Sequence, residues 1–251
     1  SNRFMKSNLL KDWPLFRIWL TFLRHSATCL LLSIPYDSSG AFRCIDCKKV
    51  SLSDLILAKD NSYSYFWESI FILHQKTSVP GDIGNKFVNR GYQIEICRPP
   101  LGDDLPSNII NYSSIVVFGA PGSINDEDEF IQKEINWLKK VIESDIPFLG
   151  ICFGAQLLAK YLGSDVKTNS TGLSEIGFYK IQPTQLGEEL FQFQDTFYQF
   201  HSEGFDLPTG CELLARGDIF NNQAFRYKNC YALQFHPEVN LRVHLRWICL
   251  V

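Results

Sequence analysis

A cysteine between two glycines, in Phe148-Leu149-Gly150-Ile151-Cys152-Phe153-Gly154-Ala155-Gln156, is the best candidate nucleophile in this chain. Pro147 to Ile151 reads as a buried strand and the residues from Ala155 to Leu162 as a helix, so Cys152 falls on a sharp strand-to-helix turn. Such an elbow strains the nucleophile's backbone. It also presses the positions two before and two after it against neighbouring main chain, which demands small residues there, and Gly150 and Gly154 meet the demand. The partial positive charge of first-turn amides favours the thiolate, which is the attacking species. The plain alternative is a cysteine packing a strand end, since free cysteines are among the most buried residues.

Gln234-Phe235-His236-Pro237-Glu238 shifts the balance towards chemistry. A strand ends in His236, Pro237 sets a rigid turn and a carboxylate follows, and strand ends share one crevice in an open α/β sheet. His236 can take the thiol proton and return it to a leaving amine while Glu238 holds the ring's tautomer. A third stretch, Val117-Phe118-Gly119-Ala120-Pro121-Gly122-Ser123, is a glycine-rich loop leaving a buried strand. The Ala120 amide, with that of Phe153, would form a two-donor oxyanion hole, each donor contributing about 3 kcal/mol at the transition state. The loop is no phosphate cradle, because the Walker lysine and Ser/Thr are absent. This chemistry calls for no metal and no cofactor.

The elements that must position these residues follow from periodicity. Ser69 to Leu73 is a short apolar run, Pro80 to Arg90 opens with a helix-start signal and stops at Gly91, and Tyr92 to Cys97 alternates as a strand. Ile115 to Phe118 is wholly apolar, as in strands buried on both faces. Acids at Asp126 to Glu129 precede a helix whose Phe130, Ile131, Ile135, Leu138, Val141 and Ile142 recur at helical spacing. This alternation predicts an α/β fold, doubly wound, with a mostly parallel central sheet and helices on both faces, flavodoxin-like. Beyond Gly172, runs at Glu175 to Ile181, Thr196 to His201, Glu212 to Arg216, Gln223 to Tyr227 and Tyr231 to Phe235 predict an antiparallel extension.

The 251 residues carry 45% apolar and 20% charged residues and a net charge of -3, as an ordinary globular chain does. No basic footprint for nucleic acid is present. Trp13 to Pro35 is interrupted by Arg17, Arg24 and His25 and falls short of a membrane span or an export signal. Eight scattered cysteines fit reduced thiols and a cytoplasmic location better than a disulfide scaffold. Residues 1–65 show no sustained period and read as an appendage to a domain over 66–251. Cys44 and Cys47 there form half of a zinc site or a redox pair, or are two thiols close by chance.

Gly150 to Gly163, Tyr198 to Gly204 and Asn222 to Val239 together resemble the glutaminase domain of class I glutamine amidotransferases, in the branch similar to the GMP synthetase glutaminase subunit. Ile72 to Pro106, with His74-Gln75 and Arg98-Pro99 each after a strand, is similar to the domain's opening in stand-alone members. The resemblance implies a triad of Cys152, His236 and Glu238, and substrate contacts from Gly119, Gln156, His201 and Ser202. It also implies thiolate attack on a side-chain amide, loss of ammonia and hydrolysis of a γ-glutamyl thioester. Ala120 departs from the family's usual Gly-Gly-Pro, and a left-handed backbone there would cost about 1 kcal/mol.

Three functions fit these residues. One is an ammonia-producing subunit acting on glutamine for a partner synthetase, since no Ser-Gly-Gly phosphate loop of an adenylating domain is found. A γ-glutamyl peptidase or hydrolase would use the same triad. A catalytically silent binding protein is the third.

Overall fold

A computed structural model describes residues 68–248. The appendage expected over 1–65, including Cys44 and Cys47, lies outside the described residues.

Apolar runs become the centre of one sheet. Strands β1 (Glu68–Ile72), β2 (Gln93–Cys97), β3 (Tyr112–Val117), β4 (Phe148–Ile151) and β12 (Cys230–Leu233) lie parallel in the order β2-β1-β3-β4-β12. Strands β11 (Ala224–Tyr227), β10 (Glu212–Arg216) and the short β7 (Gln182–Pro183) continue it antiparallel to eight strands. Two pairs stand outside it: β5 (Val166–Thr168) with β9 (Glu203–Phe205), and a ribbon of β6 (Glu175–Lys180) with β8 (Thr196–His201).

Alternation along each central strand sends side chains to two cores. Phe71, Val116, Leu149 and Leu233 pack on one face with Ile83 and Phe87 of helix α1 (Gly81–Val88) and with Leu190 and Phe191 of the short helix α4 (Glu188–Phe191). Ile72, Ile115, Val117 and Ala232 pack on the other. Their partners there are Ile131, Leu138 and Val141 of helix α2 (Glu129–Glu143), and Leu157 and Leu158 of helix α3 (Phe153–Tyr161). Helix α5 (Leu241–Ile248) follows the last strand. No helix among the described residues is long and apolar enough to cross a membrane.

The doubly wound parallel sheet and its antiparallel extension are as expected, with one correction in detail. The run at Tyr231 to Phe235 ends the antiparallel run as β12, which is antiparallel to β11 and also pairs parallel to β4. Its four residues are all buried, as a strand flanked on both sides must be. The runs at Glu175 and Thr196 form their own ribbon instead of joining the main sheet.

Candidate active site

Cys152 follows the carboxyl end of β4 and caps α3, with φ 50° and ψ −106°. Among the described residues, only Asp145, Cys152 and Lys228 are non-glycine residues with positive φ, and such conformations are held only where surrounding contacts over-determine them. Here the fixing contacts are visible. The Cys152 amide donates to Leu233 O of β12 at 2.7 Å, and Cys152 O accepts from the Ala155 and Gln156 amides at 3.0 Å each. A methyl on Gly150 would meet Gly154 O at 2.4 Å, and one on Gly154 would meet Val117 O of β3 at 2.2 Å. Both flanking glycines are therefore steric requirements of the elbow, which seats the thiol at a helix N-terminus.

His236 lies three residues past β12, next to β4 in the sheet. Its amide donates to Tyr198 O of β8 at 2.8 Å, and Trp247 of α5 packs edge-on against its ring at 5.0 Å between centroids. The ring and the thiol flank one point: a methyl on Gly119 would lie 2.9 Å from His236 Cε1 and 3.6 Å from Cys152 Cβ. Nδ1 is 2.8 Å from Glu238 Oε1, and both side chains are about 5% exposed. Nδ1 donates to the carboxylate, which leaves Nε2 without a hydrogen-bond partner among the described residues. Burial opposes charge on His236, yet the negative charges of Glu238 and Cys152 and the hydrogen bond to Glu238 outweigh it and raise the imidazole pKa to about 10. Glu238 is fixed through its backbone, whose carbonyl accepts from the Asp82 amide at the start of α1 at 2.9 Å.

Ala120 and Phe153 line a cleft of about 230 Å³ that also exposes Cys152, Gln156, Ser202 and Glu203. No hydrogen bond from the Ala120 or Phe153 amide to the protein is found among the described residues, so two donors are free beside the thiol. Ala120 is not left-handed, so the substitution for glycine carries no backbone strain. Gln156 is buried, and its Nε2 donates to Glu203 O at 3.0 Å.

His201 lines the cleft but has no ring nitrogen to offer a ligand. Nδ1 donates to Glu203 O at 2.8 Å, while Nε2 is 3.0 Å from both Gln199 Oε1 and Glu175 Oε2. Gln223, just before β11, continues this buried network, bonding Glu175 and Gln199. His201 therefore fixes the loop that presents exposed Ser202 to the cleft.

Sequence reasoning gave no role to three buried polar side chains around the candidate site. Gln234 Nε2 lies 3.9 Å from Cys152 Sγ. His74 and Glu134, both buried, meet each other beside the glycine-rich loop. Glu134 left a signal, being a carboxylate on the apolar stripe that includes Ile131 and Leu138.

Residues 74–248 match the family described as glutamine amidotransferase class-I. The chain is 35% identical over 133 residues to a GMP synthase [glutamine-hydrolyzing] of Bacillus velezensis, a match covering 52% of this chain and 25% of that protein. It is 36% identical over 138 residues to the Streptococcus mutans protein of the same name, covering 52% and 25%. The chain thus spans about a quarter of the length of these curated relatives. A solved glutamine amidotransferase from Thermotoga maritima superposes with a TM-score of 0.68 at 30% identity, over 75% of this chain and 83% of that one. One from Methylobacillus flagellatus shares the fold, with a TM-score of 0.69 at 23% identity over 74% and 76%.

Proposed function

The chain belongs to the class I glutamine amidotransferase family, and from that premise we propose that it hydrolyses the side-chain amide of glutamine through a γ-glutamyl thioester on Cys152. The ammonia released serves a partner synthetase. One arrangement carries this reading: the Cys152 thiol and the His236 ring stand past neighbouring parallel strands on either side of Gly119, with Glu238 2.8 Å behind the ring.

The Cys152 thiolate attacks the amide carbon, and the oxyanion takes hydrogen bonds from the free Ala120 and Phe153 amides. With an imidazole pKa near 10, His236 carries the proton at neutral pH and gives it to the departing nitrogen, so ammonia leaves and the thioester remains. The now neutral ring takes a proton from water as that water attacks the thioester. Glutamate departs, and thiolate and imidazolium are restored. Glu238 accepts from Nδ1 throughout, which keeps Nε2 as the atom that exchanges protons with the substrate.

The partner synthetase follows from the relatives named GMP synthase, of which the matched part is only a quarter. We assign the glutamine-hydrolysing half of that name to residues like these. Ile176 and Phe200, at 60% and 46% exposed, form an apolar rim on the cleft, the type of surface that marks protein contact sites.

The test is ammonia release from free glutamine, measured beside release of amines from γ-glutamyl peptides. Turnover of glutamine, with stoichiometric labelling of Cys152 by a glutamine-like electrophile and protection by glutamine, supports the proposal. Faster cleavage of the peptides makes the chain a γ-glutamyl hydrolase, and no turnover of either makes it a binding protein.

A further inference from the structure

His74, two residues past β1, is a fully buried imidazole whose two nitrogens both face oxygen. Nδ1 is 3.1 Å from the carbonyl oxygen of Gly119. A carbonyl only accepts, so Nδ1 carries the hydrogen and donates. Nε2 is 3.2 Å from both carboxylate oxygens of Glu134, on the inward side of α2. The ring also packs on Phe153 at 4.8 Å and on Phe130 at 5.8 Å between centroids.

These contacts converge on the two free amides. The Gly119 carbonyl and the Ala120 N–H belong to one planar trans peptide and point in opposite directions, so whatever fixes the oxygen also aims the hydrogen. Phe153, against which the same ring packs, carries the other amide. We propose that His74, oriented by Glu134, is the positioning residue of both oxyanion donors, holding the Ala120 amide through the Gly119 carbonyl and the Phe153 amide through ring packing. This rests on the role given above to those amides.

A plain structural role for a buried His–Glu pair predicts a different ranking of variants. In His74→Asn the side-chain NH2 falls near the place of Nδ1 and keeps a donor for Gly119. In His74→Gln it falls near Nε2, so it keeps the contact with Glu134 and loses the carbonyl. Positioning predicts that Asn stays within about tenfold of the parent kcat while Gln falls about a hundredfold, the loss typical of one oxyanion donor. Thermal midpoints should rank the opposite way, because Gln better fills the site. The KM for glutamine should change less than about threefold in both, as expected when only the transition state loses a contact.

Iodoacetamide alkylates Cys152 by displacing iodide without forming an oxyanion, so its rate should be equal in parent and variants. The other described thiols interfere little, since burial pushes Cys97 and Cys230 up to about 12 and Cys211 up to about 11. A kcat that follows the thermal midpoint, or falls together with alkylation, overturns the inference.

Should the parent release no ammonia from glutamine, the proposed function fails, and crystal structures of the two variants then decide the inference alone. A Gly119–Ala120 peptide that keeps its orientation with Asn and turns with Gln sustains it. The same orientation in both overturns it.

Discussion

The surroundings of His236 set its charge, and its protonation links chemistry to stability. Its pKa rises from an ordinary 6.5 to about 10 on folding, so the folded state holds the proton more tightly than the unfolded chain. That contribution is complete below pH 6.5, shrinks as pH rises through the window to about 10, and is absent above it. Thermal midpoints of the parent and of His236→Gln, compared at pH 6, 8 and 10, should therefore show a difference that moves against the parent with rising pH. A pH-independent difference would mean that the ring takes up no proton on folding. Rates separate the roles within the pair. His236→Ala removes the proton carrier and should lower kcat by about 10⁴-fold or more, while Glu238→Gln, which disturbs only the ring's orientation and charge balance, should lower it less. Equal losses would sink the assignment. Cys152, His236 and Glu238 were legible in the sequence because each sits in a short stretch whose glycines, proline and strand pattern state their own steric purpose. His74 and Glu134 were not, because their contact spans 60 residues and has meaning only once α2 is laid against the loop after β3.

The elements most readable in the sequence were those buried on both sides. Ile115 to Phe118 and Pro147 to Ile151 are continuous apolar runs because β3 and β4 are sandwiched between two helical layers. The pairs involving β5, β7 and β9 were invisible, since strands of two or three residues have no period of their own and exist only because a partner is brought alongside. The same limit hid the parallel pairing of β12, since a buried run next to a hairpin fits either direction. What the sequence does encode in full is the close approach of α3 to β3. Gly154→Ala would drive a methyl to within 2.2 Å of Val117 O, a carbonyl in a central strand with no room to retreat. The expected loss in denaturant unfolding is about 2–3 kcal/mol, the upper part of the range for overpacking. The elbow must shift with it, so glutaminase activity should fall as well. A loss below about 0.5 kcal/mol, ordinary for a surface change, would mean that α3 can slide and that the strained turn is not held by packing.

At the scale of the molecule, the sheet gathers chemistry from distant parts of the chain at one edge. The loop after β3 supplies Gly119 and Ala120, the turn after β4 supplies Cys152, and the turn after β12 supplies His236 and Glu238, while the separate β6–β8 ribbon brings Ile176, His201 and Ser202 to the cleft. Everything in that list lies within residues 68–248, as do both cores and the helices that cover them. Stability scales with the apolar surface a domain buries, and a domain of this size with two cores built from the described residues lies well above the range where external staples are needed. A chain beginning at residue 66 should therefore remain soluble, unfold in one cooperative transition and keep the glutamine turnover and Cys152 alkylation rate of the full chain. Its thermal midpoint should stay within about 4 °C of the full chain, the shift that about 1 kcal/mol produces at this size. Aggregation, or a midpoint lowered much further, would place residues before 66 against one of the two cores and move the domain boundary towards the N-terminus. A full midpoint with lost turnover would instead place them at the cleft, where the exposed side chains of Ile176 and Phe200 would be the first contacts to examine by substitution.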